Sequence, residues 1–195
     1  MAEIETADFL DYADRLHATL KGADWTAVGQ LAQTLRDCWR SGRRVFLCGN
    51  GGSAGNAIHI ANDFLYGIGK GRIPGLRVQA LPANVSVLTC LANDEGYAEI
   101  FSRQLMVDGQ SGDVLIALSG SGNSPNILRA LEQAKAMGIR SFAILGYSGG
   151  KAKGLADVAL HFAIDDMQIS EDLQVIISHM IMQWLYRHGP GEAAC

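Results

Sequence analysis

Apolar residues fall into two rhythms along the chain. Between residues 5 and 22, Phe9, Leu10, Tyr12, Ala13, Leu16 and Leu20 recur among polar neighbours, which predicts an amphipathic helix with one face to cover. Asp24 can cap a second helix whose apolar side carries Trp25, Val28, Leu31, Ala32, Leu35 and Trp39 and which Gly42 closes. Either packing on the chain's own sheet or docking on a neighbouring subunit would bury this pair. The pattern then changes to short unbroken apolar runs. Residues 45–48, 77–81, 114–118, 141–145 and 158–164 read as strands. Helical spacing lies between or after them over 53–67, 97–107, 125–137, 151–156 and 170–187, the last opened by Ser170 as its cap. A glycine-rich loop spans 67–75, the apolar run 86–92 is left without a type, and the tail 189–195 looks frayed. Such alternation indicates an α/β fold whose parallel sheet is covered on both faces.

At 195 residues and 48% hydrophobic content, one domain with one sizeable core is expected: a helical pair over 1–42 and an α/β body over 43–188. A net charge of −4 excludes any general attraction to nucleic acid or anionic membrane. Cys38, Cys48, Cys90 and Cys195 show no metal or redox spacing, so a reducing cytoplasm is expected. Glu3, Glu5, Asp8, Asp11 and Asp14 make the start of the chain unlike a secretory leader, and no apolar run reaches membrane-spanning length.

Candidate chemistry sits in two strand–turn–helix units. The first is CGNGGS, in which Gly49, Asn50, Gly51, Gly52 and Ser53 let an anion approach backbone N–H groups at a helix start. The second is SGSGNS, where Ser119, Ser121 and Ser124 join the N–H groups of a helix that Pro125 opens. Neither turn matches a dinucleotide or nucleoside-triphosphate motif, so no nucleotide cofactor is expected. Both lie beyond the carboxyl ends of strands, where such sheets bind ligands. Asn93 and Asp94 read as a polar pair in a connecting segment, a place for ligand contacts. His59 and Asp63 share one helix face, and Glu171 and His179 lie about 80° apart on another helix. Imidazole and carboxylate so placed suit either metal binding or acid–base work.

CGNGGSAGNAIH, LAND at 91–94, SGSGNS and a terminal helix bearing His179 together resemble the sugar isomerase (SIS) fold, and specifically the bacterial phosphoheptose isomerases, over nearly the whole chain. The resemblance implies a three-layer, flavodoxin-like sandwich with a five-stranded parallel sheet. It implies a homotetramer with interfacial active sites, and conversion of sedoheptulose 7-phosphate to D-glycero-D-manno-heptose 7-phosphate through an enediol or enediolate. By position it assigns Asp63 and His179 to acid–base catalysis. Substrate contacts fall to Asn50, Gly51, Gly52, Ser53, Asp63, Asn93, Asp94, Ser119, Gly120, Ser121, Ser124 and Glu171, and zinc to His59, Asp63, Glu171 and His179. Three residues depart from the family pattern: Asp63 stands for glutamate, Glu171 for glutamine, and Gly120 for threonine. The shortened carboxylate loses roughly 1.5 Å of reach, a misplacement that costs about a hundredfold in rate if nothing compensates. Two alternatives keep the fold: an isomerase of another phosphosugar, and a non-catalytic SIS adaptor that binds a replication initiator.

Overall fold

A computed structural model describes residues 6–190; the expected frayed tail and Cys195 lie largely outside them. Five strands, β1 (Arg44–Gly49), β2 (Arg77–Ala80), β3 (Val114–Ser119), β4 (Arg140–Leu145) and β5 (Val158–His161), form one sheet in the order β2-β1-β3-β4-β5. Every pairing is parallel. The order places a topological switch between β1 and β3, beside the two glycine-serine turns.

Alternation along the strands divides the interior into two layers. Val45 and Leu47 of β1 and Val114, Ile116 and Leu118 of β3 face one layer, with α2 (Trp25–Ser41), α3 (Gly52–Leu65) and α8 (Met167–His188). Phe46, Cys48, Leu115 and Ala117 face the other, with α5 (Ser102–Asp108), α6 (Pro125–Ala136) and α7 (Ala152–Leu155). Burial pushes the thiols of Cys38 and Cys48 up to about 12, which suits inert small hydrophobes. Among the described residues no helix is long and apolar enough to cross a membrane.

The two N-terminal helices differ in how they pack. Asp24 caps α2 by accepting from the Thr26 N–H at 2.9 Å, and Gly42 closes it at φ +66°. Six α2 residues are buried on the sheet side. By contrast α1 (Ala7–Lys21) has no buried residue, and Phe9 and Leu10 stand exposed. Its attachment is chiefly to α8: the Tyr12 hydroxyl donates to Asp172 at 2.5 Å and Arg15 pairs with Asp166 at 2.6 Å.

Three boundaries differ from the sequence reading. The 86–92 run is helical, within α4 (Val85–Asp94), so Asn93 and Asp94 end a helix rather than lie in a connection. The helix expected over 97–107 is broken: a 3-10 turn at Tyr97–Glu99 is followed by α5, and the bend between them buries Ile100 and Phe101. The last helix starts at Met167, capped by Asp166 and not by Ser170. Both are capping residue types, but Asp166 has extended backbone and accepts from the Ile169 N–H at 3.0 Å, whereas Ser170 donates back to the Asp166 carbonyl at 2.6 Å from inside the helix.

The Ile169 N–H, followed by the Arg15 guanidinium, holds the Asp166 carboxyl below the usual carboxylate range. Its native pKa is depressed, so its stabilisation is complete above the unfolded value of about 3.9 and is lost as pH falls through the native one. Asp166→Ala is expected to lower stability by about 1–2 kcal/mol at neutral pH. Urea denaturation is expected to show that deficit shrinking below about pH 4.

Candidate active site

The first turn joins β1 to α3. Gly51, at φ +55°, caps the helix, and its first N–H groups have no intrahelical partner. Gly52 makes room for a close approach: the Glu171 carboxylate lies where a Cβ at this position would be. Ser53 is only 4% exposed, and its Oγ accepts from Gln174 Nε2 at 3.0 Å. Its side chain is thus turned into the α3–α8 contact, leaving the backbone to face a ligand.

The second turn joins β3 to α6. Ser119 Oγ accepts from the Gly122 N–H at 3.1 Å and Ser121 Oγ from the Asn123 N–H at 3.3 Å. These bonds shape the turn and leave both hydroxyl protons available to an anion. Ser124 caps α6 without a side-chain cap bond. Gly122 sits at φ +65° against the Gly149 carbonyl, a place no side chain would fit. Gly120 has a different cause: a Cβ there would lie 2.6 Å from Met167 Sδ, so a thioether fills the space of the missing side chain.

Two turns along α3 from its start, helices α3 and α8 bring three further groups together. His59 Nε2 and His179 Nε2 are 2.9 Å apart, His179 Nε2 is 3.1 Å from Asp63 Oδ2, and His59 Nε2 is 3.5 Å from the same oxygen. A ligand atom from each lies within 4.8 Å of the others. Either one imidazole donates its proton to the other, or both lone pairs point at a common cation. For a tetrahedral ion with bonds of about 2.0–2.1 Å, donor–donor edges would be roughly 3.3 Å. The observed edges bracket that value, so two histidines and a carboxylate fit a divalent ion with an open position.

Glu171 does not enter this cluster. It lies two helical turns, about 12 Å of rise, before His179, and its carboxylate rests on Gly52. Asn93 and Asp94 are exposed at the end of α4, where Asn93 Nδ2 donates to Asp94 Oδ1 at 2.8 Å. The Cys90 thiol shares the Asp94 carboxylate, which raises its pKa.

Sequence reasoning assigns no role to four residues around these turns, although Gln174 stands out as a polar interruption of the apolar last helix. Asn56 Nδ2 donates to Gln174 Oε1 and to the Glu171 carbonyl, both at 3.0 Å. Asn126 pairs with Asn50, which also accepts from the Tyr97 hydroxyl at 3.0 Å. A usable signal existed for two of them: Asn126 and Gln174 are polar at positions where the helical period calls for apolar residues.

Known proteins resemble the chain along most of its length. A family model described as SIS domain matches residues 8–146. Phosphoheptose isomerase of Helicobacter pylori is 36% identical over 181 residues, 93% of each chain. That of Akkermansia muciniphila is 35% identical over 187 residues, covering 96% of this chain and 97% of its own. Among solved structures, phosphoheptose isomerase from Neisseria gonorrhoeae superposes with a TM-score of 0.84 at 28% identity, over 92% of this chain and 95% of that one.

Gln174 is 1% exposed and serves both Ser53 and Asn56. Gln174→Leu strands those partners and is expected to destabilise the protein by about 1–3 kcal/mol. The check is the urea midpoint of the variant at unchanged slope.

Proposed function

The chain belongs to the SIS-domain family and, within it, to the phosphoheptose isomerases, and from that premise we propose that it interconverts sedoheptulose 7-phosphate and D-glycero-D-manno-heptose 7-phosphate. The observation that carries the reading is the approach of Asp63 to His179 at 3.1 Å between two different helices, in a fold with two anion-receptive turns. Asp63 takes the proton from C1 of the ketose and returns one to C2. His179 moves the accompanying proton between the two oxygens, so the enediol collapses to the aldose with no net change in protons or electrons. Ser119, Ser121 and Ser124, with the first N–H groups of α6, receive the phosphate. Gly51, Gly52, Ser53, Asn93, Asp94 and Glu171 complete the sugar contacts in this proposal.

The same three groups are proposed to hold zinc. Imidazole and carboxylate are donors suited to it. When bound, the ion supplies Lewis acidity toward the sugar carbonyl. Glu171 joins the ligand set only by swinging away from Gly52.

A homotetramer with interfacial sites is proposed on one ground. Phe9 and Leu10 on α1, Val85 on α4, and Met106 and Val107 on α5 are exposed apolar side chains. The free thiols of Cys38, Cys48 and Cys90 suit a cytoplasmic location.

Met167 in place of a hydroxyl beside Gly120 favours one second reading, an isomerase of a different phosphosugar. A panel of ketose phosphates in deuterium oxide, followed by NMR, separates the two. Deuterium incorporation and aldose formation are expected with sedoheptulose 7-phosphate. Incorporation with another ketose phosphate alone selects the second reading, and none with any member rejects isomerase activity. Asp63→Asn is expected to slow exchange by about 10²–10⁴-fold, with the circular dichroism spectrum unchanged. Metal analysis is expected to find stoichiometric zinc in the parent protein and its loss in His59→Ala, and full retention by the variant would reject this ligand.

A further inference from the structure

Asn50 leads the first turn and Asn126 lies in the first turn of α6, immediately after the serine turn. Their amides are bonded reciprocally: Asn50 Nδ2 donates to Asn126 Oδ1 at 2.9 Å, and Asn126 Nδ2 donates to Asn50 Oδ1 at 2.8 Å. Asn126 is fully buried, while Asn50 is partly exposed. A third arm comes from the segment after α4, where the Tyr97 hydroxyl donates to Asn50 Oδ1 at 3.0 Å.

The arrangement fixes more than a distance. Both lone pairs of Asn50 Oδ1 are occupied, one by Asn126 and one by Tyr97. One N–H of its Nδ2 goes to Asn126, and among the described residues the other has no partner. The side chain therefore has a single polar group to offer, and that group is a donor. If the Asn50 amide alone flipped, its nitrogen would face the Asn126 donor and its oxygen would face outward. Asn126 is buried and, among the described residues, its side chain bonds only to Asn50, so its amide is satisfied only while Asn50 stays against it.

We propose that Asn126 is a positioning residue: it holds the Asn50 amide at the first turn, where its free N–H can meet an oxygen-rich anionic ligand, while tying the two turns into one cleft. Tyr97 is the subsidiary arm. The assignment rests on the phosphosugar reading for its ligand, but the polarity of Asn50 can be observed without it.

Two variants and two readouts test the proposal. Asn126→Asp is close in shape and can still accept from Asn50 Nδ2, but it cannot donate to Asn50 Oδ1. Tyr97→Phe removes one bond at an exposed position and leaves the amide pair intact. In the unsubstituted protein, side-chain ¹⁵N NMR is expected to show the two Asn50 amide protons as unequal, one protected from exchange and one open. Asn126→Asp, which loses the donor to Asn50 Oδ1, should shift the Asn50 amide resonances, and Tyr97→Phe should shift them less. An equally exposed pair in the unsubstituted protein overturns the proposal whatever the ligand. Calorimetric titration with sedoheptulose 7-phosphate is expected to show Kd raised about tenfold by Asn126→Asp, the loss of one hydrogen bond, and about two- to threefold by Tyr97→Phe. KM should follow Kd, and kcat should change less than twofold. If the phosphosugar binds but is not turned over, the isomerase reading fails while the Kd comparison still decides this one. Unchanged Kd and KM in a folded Asn126→Asp variant overturn it, as does a fall in melting temperature alone. Should Asn126→Asp fail to fold, an unshifted Asn50 resonance and unchanged Kd in Tyr97→Phe overturn it equally.

Discussion

The site depends on one packing decision, the parallel alignment of α3 against α8. The two helices meet in layers along their length. Glu171 rests on Gly52, Gln174 bridges Ser53 and Asn56, His179 meets His59 and Asp63, and Met182 lies over Gly67. Each layer is separated from the next by a turn or two, so a slip of one residue in this register would turn the imidazoles away from each other and expose the glutamine. The apolar residues on either side, among them Ala57, Ile60 and Phe64 on α3 and Leu173, Ile177 and Ile181 on α8, supply the driving force. They are interchangeable in register, because apolar contact is not directional. The polar layers are not interchangeable. Gln174 cannot be buried except opposite Ser53 and Asn56, so the same contact that would otherwise cost stability selects the alignment that assembles the cluster.

Electrostatics and topology place the rest. Helices α3 and α6 begin at the carboxyl edge of the sheet, one on each side of the switch between β1 and β3, and their unpaired N–H groups point toward the same region. Glycine at 52 and 122 lets other groups come against the backbone there. The Glu171 carboxylate is the anion now nearest the start of α3. A phosphate that bound at that turn would meet its repulsion, whereas sugar hydroxyls would find an acceptor. This favours the serine turn, which lacks a carboxylate among its bonded neighbours, as the seat of the phosphate.

Much of this was legible from residue order because local signals and global fold agree. Apolar runs became strands, Asp24 and Gly42 bounded α2, and the glycine-serine turns fell at strand ends. What failed had competing local signals. Asp166 and Ser170 can each cap a helix, and only the extended backbone at Asp166 decides between them. Val85, Val87 and Leu88 suit a strand by side-chain type, yet the cap that Asn84 provides to Val87 starts a helix. The Asn50–Asn126 pair and the Ser53–Gln174–Asn56 bridge were beyond reach because their partners are 76 and about 120 residues apart. Likewise, Glu171 is in register with Gly52 and not with His59, a fact set by how far one helix is advanced along the other.

The central claim is that one phosphosugar lies with its phosphate on a serine turn and its reacting carbons between Asp63 and His179. The structure of the protein crystallised with sedoheptulose 7-phosphate tests it most directly. The account predicts C1 and C2 within about 3.5 Å of an Asp63–His179 pair, from the same or a neighbouring subunit, with Ser119, Ser121 and Ser124 around the phosphate. A sugar seated on the serine turn with those carbons beyond reach of every copy of Asp63 and His179 would contradict it.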